Sequence, residues 1–164
     1  MRDAPIGAMM PEPGGAPSLT DPTWAFMLRL RRLTQLYTAS WVRKVSAEVT
    51  STQFGVMSFL QRFPGESQKD IGAHLSMDKS NMTDVVNRLT RRGYVRVLKD
   101  SSDQRRNVLM LTKEGSRVLE ELAPLVHELR AEAFSTFSGD ERLAFLGGMD
   151  QLIARLEQVS GGEA

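Results

Sequence analysis

The chain has 164 residues, 41% of them apolar, no cysteine and a formal net charge of +1. That length suits one domain, or a small domain with extra helices that need a partner. The absence of cysteine excludes disulfides, thiolate metal sites and cysteine-based redox sensing, and no apolar run approaches the ~20 residues of a membrane span.

The N-terminus has no basic segment leading into an apolar stretch, so no export is implied and a cytoplasmic location is expected. His74 and His127 are the only imidazoles. They fall in different expected helices without a carboxylate cluster, which argues against a metal centre. With no Gly-rich phosphate loop and no paired carboxylates on facing elements, the chain lacks the constellations of an enzyme, and no cofactor is expected.

Residues 1–20 hold four prolines and three glycines with little apolar periodicity and are expected to form a flexible tail. Asp21-Pro22 then reads as an N-cap and first helical position. Trp24, Met27, Leu28, Leu33, Leu36, Tyr37, Trp41 and Val45 follow at helical spacing to about residue 46. That stripe is wider than one small domain needs, so part of it should bury against a second chain. A break near Glu48 precedes a helix capped by Thr50 or Ser51 and ended by Pro64-Gly65.

Residues 67–112 read as helix, tight turn, second helix and two-stranded ribbon. Ser67-Gln68-Lys69-Asp70 is a capping-box variant whose helix N-terminus can meet a DNA phosphate. Asp78 caps the second helix and Gly93 closes it. Met82, Val85, Val86 and Leu89 form its apolar stripe, leaving Ser80, Asn81, Thr83, Asp84, Asn87 and Arg88 as base-edge or phosphate candidates. Asp84 faces DNA awkwardly and is expected to pair with Arg88 four residues on. Past Gly93 the period changes to a hairpin turning at Asp100-Ser101-Ser102-Asp103, with Arg105 and Arg106 at its tip. From Asn87 to Arg106 there are seven Lys or Arg against two Asp, so cationic charge gathers where a phosphate backbone would lie.

Thr112 is expected to cap a helix fading around residues 133–136. Ser138-Gly139-Asp140-Glu141 is a capping box for a last helix. Gly147-Gly148 within it costs ~2 kcal/mol of helix propensity relative to alanine, which implies either a close backbone approach or a bend. The expected fold class is therefore mainly α with a small β-hairpin wing. Residues 21–48 and 113–160 form a helical dimerisation region, and residues 49–112 a winged helix-turn-helix.

The run Asp103-Gln104-Arg105-Arg106-Asn107-Val108-Leu109-Met110-Leu111-Thr112, with Lys113-Glu114-Gly115 after it and Arg88-Leu89-Thr90-Arg91-Arg92-Gly93-Tyr94-Val95 upstream, resembles the MarR family of winged helix-turn-helix regulators. The resemblance implies a homodimer interlocked through its first and last two helices. It further implies that Arg105 enters the minor groove, that Asp103 braces the wing, and that small ligands, often anionic aromatics, bind beside the dimerisation helices. Arg106 is expected to add a phosphate contact. Arg32, Tyr37 and Trp41, faced by Phe54 and Met57, are the candidate ligand residues, the plainer alternative being that Trp41 and Phe54 are core. The function expected is a dimeric repressor released from a pseudo-palindromic operator by a ligand. An activator or a regulator without a ligand is the alternative, and a winged helix used only for protein contact is more remote.

Overall fold

A computed structural model describes residues 23, 25–100 and 103–161; the expected tail, the expected cap at Asp21-Pro22, and Trp24 lie outside the described residues. The chain forms two compact units, one reaching to Ala39 and one running from Ser40. Helix α1, Phe26–Lys44, begins in the first unit and ends in the second. In the first unit its apolar side chains Met27, Leu28, Leu33 and Leu36 are all exposed. An amphipathic helix with its stripe in water needs another surface to cover it.

The second unit holds α2 (Ser51–Arg62), α3 (Gln68–His74), α4 (Lys79–Arg91), β1 (Val95–Lys99), β2 (Asn107–Leu111), α5 (Lys113–Ala133) and α6 (Gly139–Gly161). The caps follow from the short polar residues ahead of each helix. Thr50 Oγ1 accepts from Gln53 N at 3.2 Å while Gln53 Oε1 accepts from Thr50 N at 3.0 Å, a full capping box. Asp78 Oδ1 accepts from Asn81 N at 2.9 Å, and Thr112 Oγ1 from Gly115 N at 3.0 Å. Ser138 and Glu141 reciprocate at 3.3 and 2.8 Å. Thr50→Ala should lower stability by about 1 kcal/mol, read as a fall in denaturation midpoint.

Between α3 and α4 the chain turns with Ser76 in the left-handed region, φ +50°, and Met77 N donates to Gly72 O at 2.8 Å. Sequence reading placed a tight turn here without identifying Ser76 as its hinge. Gly65 and Gly93, φ +84° and +74°, end α2 and α4.

The core of this unit is where the apolar stripes of α2, α3, α4 and α5 converge with the hairpin. Val56, Met57, Leu60, Ile71, Met82, Leu89, Val95 and Leu109 are fully buried, and Val118, Leu119, Val126 and Leu129 bring α5 into the same core. β1 and β2 pair antiparallel from Val95 opposite Leu111 to Lys99 opposite Asn107. A further element was not read from sequence. Gly65 N donates to Leu109 O, Leu109 N donates to Glu66 O, and Ser67 bridges Val108, so the lead-in to α3 lies along the other edge of β2.

Helix α6 runs unbroken through Gly147-Gly148, and a Cβ on either glycine would meet no atom within 4 Å. No close approach to that pair occurs among the described residues. The start of α6 is held to the end of α5 by an aromatic cluster, with Phe145 5.7 Å from Phe137 and 6.2 Å from Phe134 between ring centres. Beyond it Leu146, Met149, Leu152, Ile153 and Leu156 are exposed along the helix.

Candidate nucleic-acid interface

Helix α4 buries Met82, Val86 and Leu89, and this rotation fixes the opposite face. Ser80, Asn81, Asp84, Asn87 and Arg88 are all exposed on it, as the helical period requires. Asn81 is partly committed, since its Nδ2 donates to Asp78 Oδ2. The ion pair expected between Asp84 and Arg88 is not formed, and neither side chain makes a salt bridge among the described residues. Two hydrated charges on an exposed helix gain only about 0–1 kcal/mol by pairing. Arg88 is therefore open to DNA, and Arg88→Ala should weaken binding by ~1–3 kcal/mol if the guanidinium grips a base edge, measured by fluorescence anisotropy.

Several expected contact residues are engaged inside the chain. Thr83 is half-buried; its hydroxyl donates to Lys79 O at 2.7 Å and accepts from Gln68 Nε2 at 2.7 Å. That pair locks α3 to α4, so Thr83 and Gln68 set the angle between the two helices. The Ser67 hydroxyl accepts from Asp70 N at 3.2 Å and donates to Asp70 Oδ2 at 2.6 Å. Lys69 is exposed beside it.

At the wing, Asp103 Oδ1 accepts from Arg105 N at 2.9 Å, and Asp103 O accepts from Arg106 N at 2.9 Å. The carboxylate thus shapes the backbone that carries Arg105. The Arg105 side chain is exposed and makes no ion pair among the described residues.

Arg106 does the opposite. Its guanidinium lies 2.7 Å from Asp70 Oδ2, 3.5 Å from Glu66 Oε2 and 3.8 Å from Asp100 Oδ2, tying the wing to the start of α3. The phosphate contact expected of Arg106 is thus met by a different arrangement, because three nearby carboxylates compete for it. Asp70 was read only as part of a cap, and Glu66 was not singled out. Residues 36 positions apart show no periodic signal that could pair them.

The hydroxyl of Ser67 first, then Arg106 and Lys69, hold the Asp70 carboxyl below the ordinary carboxylate range. A depressed carboxylate contributes to the folded state above its unfolded pKa and loses that contribution as pH falls through the lower folded value. The wing tie should therefore persist through neutral pH and release only in acid.

Of the candidate ligand residues, Arg32 is exposed and Tyr37 half-buried in the first unit. Trp41, Phe54 and Met57 lie in the second, where they are 3%, 8% and 0% exposed. Trp41 Nε1 donates to Val49 O at 2.6 Å, and its ring meets Phe54 edge-on at 5.6 Å. Core packing accounts for these three, since Trp41 packs on Phe54 and all three are buried in the second unit.

A helix-turn-helix whose second helix displays a polar face, flanked by a wing with a braced and unpaired arginine, defines a winged helix-turn-helix DNA-binding protein. Comparison with known proteins gives the family. Residues 47–106 match the MarR family profile. The transcriptional regulator HosA of Escherichia coli O111:H- is 30% identical over 118 residues, 72% of this chain and 87% of HosA. The transcriptional activatory protein BadR of Rhodopseudomonas palustris is 28% identical over 141 residues, covering 83% of this chain and 81% of BadR. The PcaV transcriptional regulator of Streptomyces coelicolor, solved in complex with its natural ligand, superposes with a TM-score of 0.76 at 32% identity, over 85% of this chain and 97% of PcaV. The chain belongs to the MarR family. It is a dimeric DNA-binding regulator and not an enzyme. No helix among the described residues is long and apolar enough to cross a membrane.

Proposed function

We propose that the protein occupies a pseudo-palindromic operator as a homodimer, represses by excluding polymerase, and leaves DNA when a small anionic aromatic ligand binds. The observation that carries the DNA-reading part is the exposed polar face of α4 together with the unpaired Arg105. Two such faces related by a dyad suit half-sites about one DNA turn, ~34 Å, apart. Residues 21–48 and 113–160 serve as the dimerisation region in this reading, and the exposed apolar residues of α1 and α6 supply its surface. Residues 49–112 form the DNA-binding part.

The ligand part is supported by the likeness to PcaV, a regulator solved with its natural ligand. On α1, Arg32 offers an exposed guanidinium for a carboxylate, with Tyr37 on the same helix. Trp41, Phe54 and Met57 are buried in the second unit, so the proposal rests on Arg32 and Tyr37. A ligand can release DNA only by preferring one dimer geometry over the other. The test is thermal unfolding against a panel of aromatic carboxylates and phenols, followed by a mobility shift on operator fragments with any stabilising compound. A compound that raises the melting temperature and frees DNA supports the reading, and Arg32→Ala should then lose the thermal shift while keeping DNA affinity. A DNA-bound protein indifferent to the whole panel would overturn the ligand part alone.

The name of BadR favours activation as a second reading. In vitro transcription from a bound promoter separates the two: a fall in transcript supports repression, a rise supports activation.

A further inference from the structure

We infer that Arg92 is a positioning residue: through the connector between α1 and α2 it ties the C-terminal end of α4 to α1, so that the two recognition helices of the dimer keep one separation. This rests on the reading above, in which α1 belongs to the dimerisation region and dimer geometry governs release of DNA.

The connector is stiff because its backbone is fully committed. Ser46 Oγ accepts from Glu48 N at 3.1 Å and from Val49 N at 2.9 Å. Val49 O accepts from Trp41 Nε1 at 2.6 Å. Thr50 N donates to Gln53 Oε1 at 3.0 Å, and Thr50 O accepts from Phe54 N at 2.9 Å. The remaining group of this run is the Glu48 carbonyl, which accepts from Arg92 Nη1. Every backbone donor and acceptor from Glu48 to Thr50 therefore has a partner, and the side chains of Val45 and Val49 are buried. A segment held in this way moves as a body, and a displacement at one partner is passed to the others instead of being absorbed by a slack loop.

Those partners belong to three helices. Trp41 lies in the last turn of α1 and is buried, Gln53 and Phe54 open α2, and Arg92 is the C-cap of α4. The Arg92 guanidinium meets a carbonyl 44 positions away in sequence. A positive charge suits the C-terminus of a helix, but that attraction does not select an oxygen outside the helix. Nor does the Glu48 carboxylate draw it, since neither side chain forms an ion pair among the described residues. The contact depends on the path of the backbone, not on the side chain at position 48. Other polar ties at the two ends of α4, Gln68 Nε2 to Thr83 Oγ1 and Thr112 Oγ1 to Gly93 O, lead to α3 and α5. Arg92 leads toward α1.

The consequence is leverage. Helix α4 has 13 residues, a length of about 20 Å, and Ser80, Asn81 and Asp84 lie toward the end opposite Arg92. A change in where the C-terminal end is held swings those side chains relative to the same set on the partner.

The test reads the separation directly. The chain has no cysteine, so Asn87→Cys, at an exposed position on α4, puts one spin label on each protomer of the full-length dimer. Double electron-electron resonance then gives the distance between the two copies of α4. Arg92→Met removes the donors while keeping a long side chain, and is expected to broaden the distribution or displace it by ~1–2 Å. Arg92→Lys, which retains a donor, and Glu48→Ala, which retains the carbonyl, should keep the wild-type distribution. Trp41→Phe loses the donor to Val49 O and should also disturb it, with little further effect once Arg92→Met is present, because both act through one connector. Without the label, anisotropy on a duplex selected by wild type from a random pool should show roughly fivefold or more loss of affinity in Arg92→Met. A merely structural role would lower the melting temperature and leave the distances in the folded dimer alone. Unchanged distances in Arg92→Met, or an equal disturbance by Glu48→Ala, overturn this inference and leave the regulator reading intact. Additive effects of Trp41→Phe and Arg92→Met overturn the link to α1. Altered distances with unaltered DNA affinity support Arg92 as the positioning residue and overturn the reading that dimer geometry governs release.

Discussion

Arg105→Ala is expected to weaken duplex DNA binding by about 1–3 kcal/mol, roughly 5- to 150-fold, with the dimer and the melting temperature unchanged. The side chain is exposed and makes no ion pair within the described residues, so deleting it removes nothing from the fold. Its backbone is held by Asp103 whether or not the guanidinium is present. Arg106→Ala supplies the contrast. It frees the wing from Asp70 and Glu66, so its effect on DNA should be indirect, through looser placement of Arg105. The pairs it breaks are exposed and each contributes little by itself. Anisotropy on both variants, with size-exclusion chromatography as the control, decides the matter. Equal affinity for wild type and Arg105→Ala would sink the assignment of this side chain to DNA.

Gly115→Ala should be among the most damaging single-methyl changes in the second unit, although alanine is ordinarily the better helix former by about 1 kcal/mol. A Cβ at this position would overlap the Tyr94 carbonyl oxygen and lie 2.9 Å from its carbon and 3.0 Å from Leu111 Cδ2. The obstacle is backbone, and it is not free to retreat. Tyr94 O accepts from Thr112 N at 3.0 Å, and the Thr112 hydroxyl donates to Gly93 O at 2.6 Å while it caps α5. The entry to β1 and the first turn of α5 are thus clamped together at this crossing. Overpacking of a tight site costs ~1–3 kcal/mol, occasionally more, and for a chain of this size each kcal/mol shifts the melting temperature by roughly 2–4 °C. The expected result is a drop of several degrees in thermal unfolding, together with weaker DNA binding because the wing springs from the same crossing. A variant that melts with wild type would show that the crossing yields easily.

Much of this was legible because it is local. A cap needs a short polar side chain next to its helix; Asp78, Thr112 and Ser138 stood where the structure uses them, and of Thr50 and Ser51 the structure uses Thr50. The stripe of Met82, Val86 and Leu89 declares its buried face by period alone, and the polar face of α4 follows as its complement. The hairpin was announced by the change of period after Gly93 and by the polar turn, and the paired motifs around Arg88 and Arg105 pointed to the family.

What tertiary structure alone decided involves partners distant in sequence. Whether Arg106 faces DNA or three carboxylates depends on Glu66 and Asp70 arriving beside the wing, which no spacing rule predicts. Thr83 has the composition of a base-reading residue, yet packing of α3 on α4 gives its hydroxyl to Gln68 and Lys79. Trp41, Phe54 and Met57 could serve a pocket or a core equally well by residue type, and burial assigned them to the core. Gly115 looked like part of a motif, and only the crossing of β1 and α5 shows why a methyl group has no room. Periodicity and capping are properties of a chain segment and can be read from it. Which groups meet across the fold is set by how the segments pack, and there a change of one neighbour reassigns a side chain from ligand to support.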